Sequence, residues 1–388
     1  MTGLSGCAVA KIKPDGNPVP QPFVNHCHLE LSNDLYGSTG QIVTDAILPA
    51  FAQATAFEST GTEPDSAGHD CPAVSAPPWL TVIIPVHNGA PLLEQALAGI
   101  AAENPIGVEV LIYNSADDGG AARQIADRYA DRIAITWHER PDLSNWTYKA
   151  NVGARAARAA HISVLCHDDF WLPGHLAALR QSLERHPEAA MSVAPSRFAG
   201  PDGKLLGPWK LPFRAGLISG QQFGAAQLVQ CTVAINGAAL RRDAFLASGG
   251  FDELLWFSAD WDLYLKMAQR GPVDVRLPVT TAYRVHGGAQ TYNISRDIDE
   301  YRRQLDQVID RHLCAFTEPG SLTDRRARLA AQMNCALALA ASGKPTSLIV
   351  ALIETMRLGP RQIKRLLQET RLIDRVRPRL RLALAGAI

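Results

Sequence analysis

Four short apolar runs, each leading into a polar turn and separated by helical patterns, constrain this chain more than any other feature. LTVIIPV (80–86), VEVLIY (108–113), IAITW (133–137) and ISVLC (162–166) read as buried strands. Between them, Pro91–Ala102, Ala121–Tyr129 and Trp146–Ala160 carry helical periodicity. In the first of these, Leu92, Leu93, Ala96, Leu97 and Ile100 fall on one face. Strands alternating with helices of this length predict an α/β fold: a mostly parallel central sheet with helices on both faces. Right-handed crossovers then bring the strand ends at 87, 114, 137 and 167 to one edge, where open α/β sheets bind ligands.

The fourth run ends in the most chemically loaded segment, HISVLCHDDFWLPGHL (161–176). Two adjacent carboxylates, Asp168 and Asp169, at the carboxyl end of a buried strand cost free energy unless a cation sits with them. Hard oxygen ligands suit Mg²⁺ or Mn²⁺, ions that commonly share their coordination sphere with substrate phosphates. Taken alone, the segment fits an Asp-Asp turn capping a helix that begins near Pro173 equally well.

The totals exclude several classes. The chain has 388 residues, enough for a sizeable core and more than one domain. Its formal net charge is zero, so no global field favours nucleic acid. Charge is uneven, however. Residues 1–78 hold two Lys, no Arg and eight Asp/Glu, whereas residues 357–381 hold nine Lys/Arg against Glu369 and Asp374. The seven cysteines are scattered without a CxxC pair, which argues against a disulfide framework and for a reducing compartment. His26, Cys27, His28, His69 and Cys71 match no common zinc spacing. The N-terminus lacks a basic stretch followed by an apolar core, and no apolar run approaches a membrane span. A cytoplasmic protein is expected, with the inner membrane face as its one alternative setting.

Three regions follow. Residues 1–78 read as an acidic, irregular leader, with a short helix across Gln41–Ala56 and a linker over Ser59–Pro78. Residues 79–295 form the α/β domain, whose later part is expected to hold a strand at 231–236, helices at Arg241–Ala247 and Ser258–Gln269, and a strand at Val279–Val285. Residues 296–388 read as helical and basic. Arg371, Arg375, Arg377, Arg379 and Arg381, interleaved with apolar residues, suit an anionic membrane surface, a solvated helix face or a subunit contact.

Four segments in order carry a resemblance: VIIPVHN (82–88), the CHDD turn (166–169), GGFDELLWFSADWDLYLK (249–266) and YRVHGGAQT (283–291). Together, over about residues 79–290, they resemble the family-2 glycosyltransferases of the GT-A fold. The resemblance implies a metal-dependent, inverting transfer of a sugar from a nucleotide-diphosphate donor to a glycan or lipid-linked acceptor, with Mn²⁺ or Mg²⁺ as cofactor. Pro85, His87 and Asn88 would then line the base and ribose pocket, with Lys149 and Asn151 near the nucleotide. Asn114 stands where the family places an Asp that bonds the base; its amide can both accept and donate. Asp168 or Asp169 would ligate the metal, and His286 would add a contact to metal or diphosphate. Cys166 replaces the first acid of the metal motif and reads as a buried end-of-strand residue.

Asp260 would be the base that removes the acceptor hydroxyl proton. Asp262, two residues along the same helix, points elsewhere and is structural or an acceptor contact. Trp256 and Arg284 are further acceptor or sugar contacts, whereas Trp261 reads as core. His167 reads as an exposed turn residue or a phosphate contact. Acceptor specificity is expected to lie in the loop 196–230. The departures at Asn114 and Cys166 leave a second possibility, a catalytically inactive nucleotide-sugar or glycan-binding module.

Overall fold

The computed structural model describes residues 76–288 and 297–384. The expected leader, its helix at Gln41–Ala56 and its His/Cys residues lie outside the described residues, as does most of the linker.

The first half alternates as the apolar runs require: β1 (Leu80–Val86), α1 (Ala90–Ala102), β2 (Val108–Asn114), α2 (Ala121–Asp127), β3 (Ala134–Glu139), α3 (Trp146–Ala156) and β4 (His161–Val164). Then come β5 (Phe170–Trp171), α4 (His175–Arg185), β6 (Met191–Val193), β7 (Ser196–Ala199), β8 (Leu205–Trp209), β9 (Gly216–Ile218) and α5 (Gly220–Val229). The α/β part closes with β10 (Ala238–Arg241), α6 (Arg242–Ala247), α7 (Ala259–Ala268), β11 (Val273–Val275) and β12 (Thr281–Arg284). Five helices follow: α8 (Ile298–Phe316), α9 (Leu322–Ala341), α10 (Thr346–Arg357), α11 (Pro360–Thr370) and α12 (Leu372–Leu384).

The eight-stranded sheet has the order β3-β2-β1-β4-β10-β6-β11-β9. β1 pairs in parallel with β2 and β4, and β2 with β3, so four strand ends share one edge as expected. β1 is buried along its whole length because both faces are covered. Val82 and Ile84 face a core with Leu93, Leu97 and Ile100 of α1, whereas Ile83 on the other face joins Ala150 and Ala154 of α3. Glu109, a charge inside the β2 run, is held by Thr81 Oγ1 and by Arg158 Nε at 2.6 Å.

One expected strand is absent. Residues 231–234 have no regular structure and 235–237 form a single 3₁₀ turn, with β10 starting only at Ala238. Side chains take over the backbone groups there: Thr232 N donates to Gln227 Oε1 at 2.9 Å, and the Thr232 carbonyl accepts from Trp209 Nε1 at 2.6 Å. The apolar alternation at 231–236 thus faces a cavity wall rather than a sheet neighbour.

A second, four-stranded sheet, β5-β12-β7-β8, sets the site. β5 follows the Asp168–Asp169 turn directly and pairs with β12 through Trp171↔Thr281 and Phe170↔Ala282. That register delivers Arg284, at the end of β12, to the acidic turn. The C-terminal helices join the main core: Leu305, Val308, Ile309 and Phe316 of α8 cluster with Phe223, Leu263 and Tyr264. Among the described residues no helix is long and apolar enough to cross a membrane.

α7, which carries Asp260 and Asp262, lies against α5, and their contact depends on Gly220. A Cβ built there would stand 1.8 Å from the Ala268 carbonyl oxygen and 2.6 Å from that of Gly271, both backbone atoms that cannot rotate away. Gly220→Ala is therefore expected to destabilise the fold by about 1–3 kcal/mol or more. Urea unfolding monitored by tryptophan fluorescence checks this; an unchanged midpoint would contradict the close approach.

Candidate active site

A cavity of about 800 Å³ opens at the carboxyl ends of β1 and β4. Pro85, His87 and Asn88 border it after β1, Cys166 to Asp169 after β4, and Trp256, Ser258 and Asp260 before and at the start of α7. Lys149, Trp209 and His286 complete the wall on this side. Three loops, the first and last more than 150 residues apart in the chain, therefore meet in one space.

The acidic turn is held from below by Arg284, which is only 2% exposed. Its backbone N–H donates to Asp169 Oδ1 at 2.9 Å, and its Nε donates to the Asp168 carbonyl at 2.7 Å. Nη1 donates to the Pro201 carbonyl at 3.0 Å, and Nη2 to Gln95 Oε1. His286 Nε2 lies 3.0 Å from Asp168 Oδ2. The two acids consequently behave differently. Burial works to raise Asp168, but the His286 bond and the neighbouring His167 outweigh it and hold this carboxyl below its usual range. Burial, and then the charge of Asp168 beside it, push Asp169 well up against the pull of Arg284.

This donor set fits a divalent cation. Asp169 Oδ2 is buried and has no hydrogen-bond partner among the described residues, a cost that a cation would remove. One oxygen each from Asp168 and Asp169 and the Cys166 sulfur lie within 4.8 Å of one another. Without a cation, burial and then three surrounding carboxylates push the Cys166 thiol well up, which keeps it neutral. Two carboxylates with an imidazole suit Mn²⁺, and the oxygens alone suit Mg²⁺.

Asp260 occupies the first turn of α7, where its Oδ1 accepts the Trp261 N–H at 2.7 Å. Burial raises its carboxyl to about 6, only partly opposed by that bond and by its own backbone N–H. A carboxylate with this pKa inside a cavity is suited to take a proton near neutral pH.

The remaining expected residues divide. Lys149, 1% exposed, donates from Nζ to the Val86 carbonyl at 2.7 Å and still borders the cavity; burial lowers its ammonium to about 8. His87 Nδ1 is 3.0 Å from Ser115 Oγ, and Asn88 takes a left-handed φ of 51°. His167 is half-buried rather than exposed: Nδ1 is 3.2 Å from the Pro85 carbonyl, and its ring fills the space beside Gly89. Trp261 is core, its indole N–H bonded to the Gln227 carbonyl.

Four expected contacts do not line the cavity. Asn114 spends its amide on the Ala116 carbonyl and Glu139, and its Oδ1 accepts the Ala116 N–H, closing the turn after β2. Asn151 holds the Gly-Gly-Phe loop, donating to the Phe251 carbonyl and accepting the Phe251 N–H, each at 2.9 Å. Asp262, fully buried, is an ion-pair hub for Lys266, Arg311 and His312, and these outweigh burial to hold it down at about 2. Arg284 clamps the acidic turn from behind, as described above. Helical phase accounts for Asp262, because residues two apart on a helix point to different sides.

The far wall was not legible as a site. Tyr301 and Leu305 of α8, Asn334 of α9, and Arg375 and Arg379 of α12 all border the cavity. Only the four-residue spacing of the two arginines hinted that they share a helix face.

Residues 81–246 match the family model described as Glycosyl transferase family 2. Over these residues the chain is similar to glycosyl transferase family 2. An uncharacterized glycosyltransferase of Rickettsia felis is 24% identical over 242 residues, covering 58% of this chain and 37% of that protein. The chain thus spans little more than a third of that relative's length. Similar solved structures include Staphylococcus aureus TarS 1–349 in complex with UDP-GlcNAc, 12% identical with a TM-score of 0.46, covering 75% of this chain and 92% of that one. A mannosyltransferase from Pyrobaculum calidifontis in complex with GDP-Man and Mn²⁺ is 18% identical with a TM-score of 0.47, covering 77% and 88%. The mixed α/β sheet with flanking and C-terminal helices is the α/β class with a helical C-terminal extension that the sequence implied.

Arg284→Met would strand the Asp168 and Pro201 carbonyls and release the turn, with an expected loss of about 2–4 kcal/mol of stability. Chemical denaturation measures that loss. Calorimetric titration of Mn²⁺ should show binding weakened about 10–100-fold, as expected for a group that orients metal ligands.

Proposed function

We propose that this chain is a metal-dependent, inverting glycosyltransferase that moves a sugar from a nucleotide-diphosphate donor to a glycan or lipid-linked acceptor. The observation that carries the reading is a single cavity bordered by both the Asp168–Asp169–His286 cluster and the Asp260 carboxyl, raised to about 6. The family match over residues 81–246 supports the same reading.

In this reading Pro85, His87 and Asn88 border the nucleoside, and the Lys149 ammonium offsets charge on the diphosphate. Asp168, Asp169 and His286 hold Mn²⁺ or Mg²⁺, which when bound neutralises charge building on the leaving diphosphate. Asp260 takes the proton of the acceptor hydroxyl as that oxygen attacks the anomeric carbon and the bond to the diphosphate breaks. Attack from the side opposite the leaving group inverts the anomeric centre. Trp256 offers an aromatic surface on the acceptor side. The outward face of α12, with Ile373, Arg377, Leu380 and Arg381 exposed, suits an anionic lipid surface at the cytoplasmic side of a membrane.

Thermal unfolding with UDP, GDP, TDP and CMP, each with and without Mn²⁺ or Mg²⁺, tests donor binding. A nucleotide at a hundredfold excess over its dissociation constant should stabilise the fold by about 2.7 kcal/mol. The shift should require the metal and disappear in Asp168→Ala/Asp169→Ala. Silence across the whole panel would remove the donor reading.

Asp260→Asn should lower kcat about 10²–10⁴-fold while leaving donor binding in place. In the parent protein kcat/KM should rise with pH and level off above about 6, as the base loses its proton. Stability should move oppositely. A carboxyl whose pKa is raised by folding contributes fully below its unfolded value of about 3.9 and loses that contribution as pH rises through 6. Asp260→Asn should accordingly be more stable than the parent at pH 7, by about 1–3 kcal/mol, with the difference vanishing near pH 4. Full turnover by Asp260→Asn would sink the assignment of the base.

A further inference from the structure

The wall of the cavity beyond Asp260 carries two cations that the donor site does not use. Arg375 and Arg379 stand one turn apart on α12 and both border the cavity. Arg375 is half-buried; its Nη1 is sealed from solvent and has no hydrogen-bond partner among the described residues. Arg379 donates from Nη1 to the Arg375 carbonyl at 2.9 Å, and its guanidinium lies 5.1 Å from the centre of the Phe198 ring. No described carboxylate pairs with either one. The groups that face Arg375 are Arg379, a like charge, and the Tyr301 hydroxyl and Cys231 thiol, both pushed up by burial and therefore neutral. Burial first, and then the Arg379 charge, lower the Arg375 guanidinium to about 10.

Two partly desolvated guanidiniums side by side, without a counter-charge, cost stability in the ligand-free protein. Such an arrangement persists where an anion supplies the missing charge, and paired arginines match the forked geometry of phosphate oxygens. The two arginines border the same cavity as Asp260 and Cys231, and they come from α12 and not from the strand ends that carry the Asp168–Asp169 turn. The Asp168–Asp169 turn has its own nitrogen partners, His286 and Arg284. Leu305 and Tyr301 give the cavity beside the arginines an apolar lining suited to a hydrocarbon or ring attached to the anion.

We infer that Arg375 and Arg379 form an anion subsite that holds a phosphate group of the acceptor, so that Asp260 faces the hydroxyl of a phosphorylated acceptor. This rests on the reading of Asp260 as the base. The subsite restricts acceptors to phosphorylated ones, whether a lipid-linked phosphate or a soluble sugar or polyol phosphate.

The test uses the full chain and thermal unfolding with dodecyl phosphate, glycerol phosphate and inorganic phosphate as probes, with the metal–nucleotide pair as a separate arm. At least one phosphate probe should raise the unfolding temperature of the parent. Arg375→Gln/Arg379→Gln should weaken that probe at least tenfold and keep the metal–nucleotide shift, whereas Asp168→Ala should do the reverse. Arg375→Lys/Arg379→Lys, which keeps the charge, should recover part of the phosphate response. The ligand-free Gln variant should unfold at a temperature equal to or above the parent's, which also reports that it folds. Preference for dodecyl phosphate assigns a lipid-linked acceptor, and preference for glycerol phosphate a soluble one. Phosphate shifts that survive in the Gln variant overturn the inference. So does loss of the metal–nucleotide shift in that variant, which would place the arginines on the donor. Absence of the metal–nucleotide shift in the parent, with phosphate binding intact, would instead fail the donor reading and leave the anion site standing.

Discussion

The burial of two neighbouring carboxylates at the end of β4 is the constraint to which the rest of the site answers. Carboxylates that close, taken out of water, cannot both stay charged without cations. The chain answers with Arg284 from a strand more than a hundred residues later, brought into register by the β5–β12 pairing. That clamp is directional. It bonds the Asp168 carbonyl and one oxygen of Asp169 from behind, leaving Asp169 Oδ2 and the His286-bonded Asp168 facing the cavity. The second sheet makes this possible by bringing Arg284 to the turn.

The cavity built around this turn is lined by acidic and basic groups. Lys149, the acidic cluster, Asp260 and the Arg375–Arg379 pair all border it. Burial lowers Lys149 and Arg375 and raises Asp169 and Asp260. α7 carries both extremes: Asp260 faces the cavity without a cation, and Asp262, two residues on, is saturated by Lys266, Arg311 and His312. Helical phase alone separates a group free to exchange a proton from one locked in the core. The Asp262 hub also ties α8 to α7, so the C-terminal helices that form the far wall are anchored at the base they face.

Much of the site was legible in the residues themselves. The four apolar runs required a parallel sheet, and the sheet required their polar ends to meet, so Pro85, His87, Asn88, Asp168 and Asp169 were readable as neighbours. Asp260 and His286 were readable only through motif order. Residue type misled where the side chain had a local use. Asn114 closes its own turn, Asn151 holds the Gly-Gly-Phe loop, and in the β-branched 231–236 segment Gln227 and Trp209 satisfy backbone that a sheet would otherwise pair.

The sequence by itself determined the layered α/β domain, the edge at which its chemistry gathers and the acids that gather there, because strand and helix periodicity act over a few residues and leave a local record. Only the tertiary structure decided which of those groups are charged, which face the cavity and what closes it. Desolvation and counter-charge depend on side chains distant in sequence. Arg284 became a clamp instead of a substrate contact, and two arginines of a C-terminal helix became a wall of the cavity, through packing that no short-range pattern encodes.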